Sequence, residues 1–345
     1  MIAHLDIDAF FAAVEIHRRP ELRGIPLVVG GDPNGRGVVA TASYAARRFG
    51  IRSAMSCAEA RRRCPDVVFV PPDMARYREW SARVWALARE LSPAVEVVGL
   101  DEGYLVLPDQ DAGAAADAVR RAVAERVRLS CSLGVATCKV VAKVASDRDK
   151  PGGVTVVPAG EEAAFLAPLP LRALPGVGPR TEERLAGAGL ATVGELAALG
   201  DDALRALAPG RFGEDLRRRA NGIDPRPVMA VPAERISISS ERTFAHDLAD
   251  AGELEEIACE LAGRVADALR RRGRAARTVT VKLRYADFST VTRGQTVTGA
   301  TDDAAVIAST ARALLGRALS ERAGALRLMG VGVSGLSSAR QLTLF

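Results

Sequence analysis

The sequence predicts an α+β protein made of several domains. The N-terminal half holds apolar runs of strand type, a glycine-rich helical region follows at 174–196, and the last third returns to alternating strand and helix patterns. A linker with several prolines, 224–232, precedes that last third. The 345 residues suffice for two or more domains, and a hydrophobic fraction of 48% supplies their cores.

Composition narrows the class of protein. The formal net charge of +5 favours a polyanionic partner. No apolar run is long enough to span a bilayer and the N-terminus does not read as a signal peptide, so we expect a cytoplasmic protein without a membrane partner. Five cysteines without paired short spacing and only three histidines argue against disulfide or zinc frameworks.

Two acidic clusters interrupt apolar runs of strand type. Asp6 and Asp8 lie in the first run, 2–11, and the adjacent pair Asp101 and Glu102 lies in 95–105. Carboxylates placed there would cost several kcal/mol unless a partner neutralises them. Mg²⁺ suits carboxylate oxygens and keeps coordination positions for phosphate oxygens. The pattern therefore indicates phosphoryl or nucleotidyl transfer.

The strand period sharpens this interpretation of the acidic clusters. Asp6 and Asp8 should share one face of a strand, whereas Asp101 and Glu102 need a bulge or bend, which the flanking glycines permit. The alternative is structural. Asp8 would then cap a helix that begins near residue 9, and 101–102 would be an ordinary hairpin tip.

Lysine usage marks a candidate phosphate site. Of 47 Lys plus Arg residues only four are lysine, and three of these are Lys139, Lys143 and Lys150. The segment 132–146 reads as a strand that turns into a helix, with Lys139 near the helix N-terminus, where anions are favoured. The alternative is an amphipathic helix with solvated lysines.

A second phosphate candidate lies at 40–50. Ser43 is a predicted helix N-cap, and Tyr44 and Arg47 fall on one face of the helix, where both can donate to phosphate oxygens. The alternative is an exposed helix face with a half-buried tyrosine. The glycine-rich stretch 30–37 lacks the end of a P-loop and is interpreted as a turn between two strands.

The glycine-rich region 174–196 predicts a helix-hairpin-helix unit. Its first turn contains Gly176, Gly178 and Arg180, a helix follows over about 182–186, and a second helix begins near 192. Backbone N–H groups of such a hairpin bind a nucleic-acid phosphate without reading bases. The alternative is an ordinary corner between two helices.

The last third predicts a sheet with a basic face and an apolar tail. The run 278–285 alternates β-formers with Lys282 and Arg284, so both cations should lie on one sheet face, where a duplex backbone could bind. The pentapeptide 341–345 is apolar and indicates either a frayed strand end or a peptide that docks into a partner.

Together these motifs resemble those of the Y-family, DinB-type DNA polymerases. The resemblance is carried, in order, by residues 4–15, 44–47, 100–105, 139–146, 174–180, 241–244 and 341–345. It implies a right-hand polymerase fold with a palm of mixed sheet and helices, small fingers, a helical thumb and an α/β little finger. The implied bounds are palm 1–10 and 72–163, fingers 11–71, thumb 164–230, linker 231–235, little finger 236–340 and clamp-binding tail 341–345.

The resemblance also implies an activity. The chain would be a monomeric translesion DNA polymerase that adds dNTPs to a primer 3′-hydroxyl on primer-template DNA by two-metal chemistry. It would use two Mg²⁺ ions, with Mn²⁺ as a substitute, show low fidelity without proofreading, and be recruited by a bacterial sliding clamp.

The same resemblance implies roles for individual residues. The metal ligands would be Asp6, Ile7 through its carbonyl, Asp101 and Glu102. The nucleotide would contact Phe10, Phe11 as steric gate, Thr41, Tyr44, Arg47 and Lys139. DNA would contact Gly176, Gly178, Arg180, Arg242, Lys282 and Arg284, and the clamp would contact Gln341, Leu342, Leu344 and Phe345.

Four positions, Gly99, Gly103, Val106 and Cys138, depart from the family's more frequent residues, so the sequence leaves fidelity and lesion preference open.

Two other classes of protein are compatible with parts of the pattern. A haloacid-dehalogenase-like phosphatase would use the first aspartate of Asp6-x-Asp8 as a nucleophile, but it would leave the hairpin motif and the tail unexplained. A non-catalytic DNA-binding or clamp-associated protein is the other, and the intact acidic residues argue against it.

Overall fold

The computed structural model describes residues 1–208, 210–231 and 234–338. The chain divides into two compact units, Met1–Pro232 and Ala233–Phe345. Within the described ranges, no helix combines the length and the apolar character needed to cross a membrane. The five cysteines are free thiols.

The first unit mixes short strands and helices. Its strands are β1 Ile2–Ile7, β2 Leu27–Gly30, β3 Val39–Ala42, β4 Val68–Val70, β5 Val95–Val97, β6 Glu102–Val106, β7 Cys131–Ala136 and β8 Val154–Val156. Its helices are α1 Phe10–Arg18, α2 Tyr44–Arg47, α3 Cys57–Arg63, α4 Met74–Leu91, α5 Ala112–Ala122, α6 Lys139–Ser146, α7 Glu162–Leu166, α8 Pro179–Ala186, α9 Val193–Ala197, α10 Asp201–Leu207 and α11 Arg211–Ala220.

A five-stranded sheet with the order β5-β6-β1-β7-β8 forms the centre of this unit. Strand β1 pairs antiparallel with both β6 and β7, and β8 is parallel to β7. Alternate residues of β1, Ala3, Leu5 and Ile7, enter a core shared with α1, α4 and α5. The intervening residues face α6, because His4 hydrogen-bonds Ser146 at the end of that helix.

A smaller three-stranded sheet, β3-β2-β4, follows α1 in the chain and has its own core with α2 and α3. Strands β2 and β3 are antiparallel and are joined by residues 31–38, so the predicted structural turn at 30–37 is confirmed in position. Ser43 caps α2 by accepting from the Ala46 N–H at 3.2 Å, as predicted.

The helical region of the first unit packs on α6 through one apolar cluster that includes Leu174, Leu185 and Leu196. Helix α8 begins at Pro179, earlier than the predicted 182, because proline suits the first helical position. Helix α9 begins after Thr192, which forms a capping box with Glu195. The helices predicted on either side of the glycine-rich hairpins are therefore confirmed.

The second unit alternates strands and helices as the sequence predicted. Its elements are β9 Ser237–Leu248, α12 Ala251–Arg270, β10 Arg274–Tyr285, β11 Thr290–Thr301, α13 Ala304–Glu321 and β12 Leu326–Ser338. The antiparallel sheet has the order β11-β10-β12-β9, and α12 and α13 pack on one face of it. Val279, Val281 and Leu283 of β10 point into that core, which places the alternating residues Lys282 and Arg284 on the other face.

Candidate active site

The two acidic clusters of the sequence meet at one end of the five-stranded sheet. Asp6 lies directly opposite Glu102 in the register of β1 and β6. Asp101 is the last residue of the turn between β5 and β6, and its carbonyl accepts from the Ile7 N–H at 2.8 Å. Residues 101–102 therefore lie at a hairpin tip and also belong to the acidic cluster.

The expectation that Asp6 and Asp8 share a strand face is wrong, because β1 ends at Ile7 and Asp8 lies beyond it. The alternative, a helix cap, is also wrong, since residue 9 occupies the N-cap position of α1 with a left-handed φ of 45° and no side chain caps that helix. Asp8 is buried, with the contacts described below.

Two lysines pair with carboxylates of the acidic cluster. Lys150 Nζ lies 2.8 Å from Asp6 Oδ2 and 2.7 Å from Asp147 Oδ1. Lys143 of α6 pairs with Glu102, and His4 Nε2 lies 3.5 Å from the same Glu102 oxygen. The cationic groups thus come from α6 and from the loop that follows it.

The pKa values of the acidic residues are shifted in different directions. Desolvation raises the pKa of Asp6 despite the neighbouring Lys150. Desolvation also raises the pKa of Asp101, and the negative charge of Asp6 adds to that rise. His4 and then Lys143 act in the opposite direction on Glu102 and lower its pKa to about 2. The cluster therefore holds negative charge that favours a cation.

The donor chemistry of this cluster fits a hard divalent metal, since carboxylate oxygens and a backbone carbonyl are what Mg²⁺ and Mn²⁺ accept. In the part of the chain that the structure describes, no three Asp, Glu, His or Cys side chains are already grouped as a metal site. Lys150 contacts Asp6 Oδ2 and Lys143 contacts Glu102 Oε2, so each lysine holds one oxygen of its carboxylate.

Lys139 does not lie with the acidic cluster. Its side chain is only 5% exposed, its Nζ lies 2.5 Å from Glu96 Oε2, and it sits 5.1 Å from the ring centroid of Tyr104. Glu96 also accepts from the Met229 N–H at 2.6 Å. Phosphate binding by Lys139 stays a prediction, and Lys150 is the lysine that contacts Asp6.

The adjacent phenylalanines of α1 have different surroundings. Phe10 is 1% exposed and belongs to the core, which leaves no side-chain surface for a nucleotide. Phe11 is partly exposed and stacks on Tyr77, with ring centroids 4.1 Å apart and an interplanar angle of 11°. The Tyr77 hydroxyl donates to the buried Glu15 at 2.9 Å, and Arg19 Nη2 lies 3.4 Å from that carboxylate. Phe11 therefore has a fixed orientation.

Tyr44 and Arg47 lie together at α2. The Arg47 guanidinium lies 4.7 Å from the Tyr44 ring centroid, and its Nε donates to the Ala42 carbonyl at 3.1 Å. The Tyr44 hydroxyl donates to Asp8 at 3.2 Å, and burial together with the Asp8 charge raises the pKa of Tyr44 to about 12. Thr41 is half-buried on β3, opposite Val29 of β2.

Three family models match successive parts of the chain. Residues 5–147 match the impB/mucB/samB family, residues 159–190 match the helix-hairpin-helix motif of the IMS family, and residues 235–344 match the C-terminal domain of the impB/mucB/samB family. The second match overlaps the helix-hairpin-helix region that the sequence predicted, 174–196.

Curated relatives match over almost the whole length. DNA polymerase IV of Halorhodospira halophila is 44% identical over 352 residues, which cover all of this chain and 98% of the relative. This chain belongs to the family of DNA polymerase IV. The DNA polymerase IV of Dehalococcoides mccartyi strain 195 is 42% identical, with 96% of this chain and 86% of the relative covered.

The fold agrees with this membership of the Y family. A solved Y-family DNA polymerase chimera of Dbh and Dpo4 matches with a TM-score of 0.88 at 23% identity, over 97% of this chain and 98% of that one. The predicted right-hand polymerase fold, with its helix-hairpin-helix motif and C-terminal sheet domain, is confirmed.

The residues predicted to contact DNA form two groups, one at the hairpin of the first unit and one on the sheet of the second unit. Gly176, Gly178 and Arg180 are exposed at the hairpin before and within α8, and Gly176 has a left-handed φ of 102°. In the second unit, Arg242 pairs with Glu260 at 2.9 Å, Lys282 pairs with Glu241 at 3.0 Å, and Arg284 donates to Thr290 at 3.2 Å. The residues 341–345, for which the sequence predicts clamp binding, lie outside the described residues.

Two features of the site escaped the sequence argument. Lys150 belonged to the unusual lysine group, but its approach to Asp6 depends on a contact 144 positions away in the chain. The support of Phe11 by Tyr77 and Glu15 likewise joins α1 to α4. Local patterns carry no signal for such pairings.

Proposed function

We propose that this chain is a template-directed DNA polymerase of the translesion type, which adds dNTPs to a primer 3′-hydroxyl with low fidelity and without proofreading. The observation that carries the proposal is the meeting of Asp6, Asp101 and Glu102 at one sheet end, beside the cations of Lys143 and Lys150. Membership of the DNA polymerase IV family supports the same activity.

Two Mg²⁺ ions, or Mn²⁺ in their place, would be held by Asp6, Asp101, Glu102 and the Ile7 carbonyl. When bound, such ions activate the attacking hydroxyl and offset charge on the transferring phosphate. The raised pKa values of Asp6 and Asp101 support this role, because a dication would offset the cost of burying their charges and the repulsion of Asp101 by Asp6.

The triphosphate would lie against Tyr44, Arg47 and Lys150, with Thr41 as a weaker contact. Lys150 replaces Lys139 in this proposal, because it is the lysine that contacts Asp6. With Asp6 holding a metal, the Lys150 ammonium would be available to pair with a phosphate oxygen. Lys139 instead supports the site from the core through Glu96.

Phe11 would exclude ribonucleotides as a steric gate. Its ring is partly exposed and is held by the Tyr77 stack, so it cannot move aside freely when a ribose 2′-hydroxyl approaches. Phe10, in contrast, contributes to the core on which Phe11 rests.

The domain bounds implied by the sequence are kept as part of the proposal. They are palm 1–10 and 72–163, fingers 11–71, thumb 164–230, linker 231–235, little finger 236–340 and tail 341–345. The chain would act as a cytoplasmic monomer on primer-template DNA, held by the thumb hairpin and the little-finger sheet, and would be recruited to a sliding clamp by its tail.

The activity is tested by extension of a labelled primer on a DNA template with Mg²⁺ and dNTPs. We expect short, template-dependent extension by the wild type and none by the double variant Asp101→Ala, Glu102→Ala. Glu241→Gln, which changes a surface carboxylate in the second unit, is the matched control and should extend like the wild type. A folded, DNA-binding wild type that does not extend would contradict the proposal.

A further inference from the structure

Asp8 is the most completely hydrogen-bonded carboxylate of the site. It is 3% exposed and accepts from Tyr44 Oη at 3.2 Å, Ser130 Oγ at 2.6 Å, Ser132 Oγ at 2.9 Å and the Gly152 N–H at 2.8 Å. All four donors are neutral. Hydrogen bonds of this kind stabilise a buried carboxylate without an ion pair.

The four donors use both oxygens of Asp8. Oδ1 accepts from Tyr44 and Ser132, and Oδ2 accepts from Ser130 and Gly152. A carboxylate offers about four lone-pair positions, so these contacts occupy its acceptor capacity. Asp8 therefore differs from Asp6, whose Oδ2 contacts the ammonium of Lys150.

The donors come from distant parts of the chain that carry the cations of the site. Tyr44 is the first residue of α2 and lies against Arg47. Gly152 lies two residues after Lys150, and its N–H is shared between Asp8 and Ser132 Oγ at 2.9 Å. One buried carboxylate thus ties both cation-bearing segments to the strand end after β1.

We propose that Asp8 is a positioning residue for nucleotide binding, which fixes Tyr44 and the 150–152 loop so that Arg47 and Lys150 converge on the triphosphate. This inference rests on the proposed polymerase function. Asp8 acts through other side chains and touches neither metal nor nucleotide. Loss of its charge should therefore weaken nucleotide binding much more than it slows the chemical step.

The test is single-nucleotide incorporation by Asp8→Asn with varied dNTP. We expect KM for dNTP to rise about tenfold while kcat changes by less than about threefold, the scale of one weakened charged hydrogen bond. Asp149→Asn is the matched control, because this exposed carboxylate of the same loop bonds Thr155 instead of Gly152. It should leave both constants unchanged.

A double-mutant cycle with Lys150→Met shows whether Asp8 acts through the loop. If it does, the increase in KM of the double variant over the wild type is clearly smaller than the product of the increases in the two single variants. Independent, multiplicative effects would overturn the proposal, as would an unchanged KM in a variant that merely melts at a lower temperature. A collapse of kcat like that of Asp6→Asn would instead make Asp8 a metal ligand and would also overturn it.

Ser130→Ala serves if Asp8→Asn does not fold, since it leaves Asp8 with three donors. We expect about a threefold rise in KM for dNTP, and no rise would overturn the proposal.

The wild type is measured first in every series. Failure of the wild type to incorporate nucleotides refutes the proposed function, whereas an active wild type with unchanged Asp8→Asn kinetics refutes only the role of Asp8.

Discussion

Both units place a lysine against a carboxylate on a β-sheet, but the two pairs differ in burial. The side chains of Lys150 and Asp6 in the first unit are 18% and 20% exposed, whereas those of Lys282 and Glu241 in the second are 35% and 39% exposed. Partial burial makes a charge costly unless it is matched, while surface pairs are worth about 0–1 kcal/mol and are screened by salt. Loss of one partner should therefore cost more in the Lys150–Asp6 pair than in the Lys282–Glu241 pair.

The largest effect should come from a change in the more buried pair, Lys150 and Asp6. Asp6→Asn removes a proposed metal ligand, and we expect single-nucleotide incorporation to slow by roughly a thousandfold, because a metal supplies several kcal/mol of charge stabilisation. Quenched-flow incorporation measures the rate.

Glu241→Gln is the surface counterpart of Asp6→Asn, and its rate should stay within about twofold of the wild type. Equal losses in the two variants would remove the distinction between the buried and the surface pair.

The second effect concerns Phe11, the proposed steric gate. Phe11→Ala should lower the preference for dNTP over rNTP by about a hundredfold, since a filled pocket discriminates small groups on that scale. Competitive incorporation of matched dNTP and rNTP gives the selectivity. Phe288→Ala, an exposed aromatic in the second unit, is the control and should leave selectivity unchanged. Retained selectivity in Phe11→Ala would assign the gate to another residue.

The third effect separates two lysines of the first unit. Lys150→Met should raise KM for dNTP about tenfold, because its ammonium contacts Asp6 at the site. Lys139→Met should instead lower the free energy of unfolding by about 2 kcal/mol, because it leaves the carboxylate of Glu96 without its lysine partner. Urea unfolding and dNTP titrations of both variants measure this contrast, and the reverse pattern would restore Lys139 as the phosphate ligand.

The smallest effect should appear on the exposed sheet face. Lys282→Gln should weaken primer-template binding by only a few fold and reduce the slope of log K against log salt by about one, as expected for one lost phosphate contact. Fluorescence anisotropy across a salt series measures the slope. An unchanged slope would remove Lys282 from the DNA-binding face.

Much of this architecture follows from local patterns in the sequence. Alternation predicted β10 and the face of Lys282 and Arg284, and capping rules predicted α2. The acidic clusters were identified because a carboxylate in an apolar run is costly wherever the run folds. Membership of the family follows from motif order along the whole chain.

Long-range contacts set the limits of that prediction. Asp8 follows the first strand by one residue, yet its donors come from positions 44, 130, 132 and 152. Lys139 matched the local rule for anion binding at a helix N-terminus, but the tertiary fold buries it against Glu96. Which lysine reaches the acidic cluster is decided by loop geometry after α6, and periodicity carries no information about it.

The most direct test of the central claim counts metal ions at the sheet end. Mn²⁺ binding is measured by electron paramagnetic resonance, with the full chain on a dideoxy-terminated primer-template plus the next dNTP. The account predicts two bound ions per wild-type chain and fewer in the double variant Asp6→Asn, Glu102→Gln, with Glu241→Gln as the unaffected control. Equal Mn²⁺ binding by the wild type and the double variant would show that these carboxylates do not hold the metals.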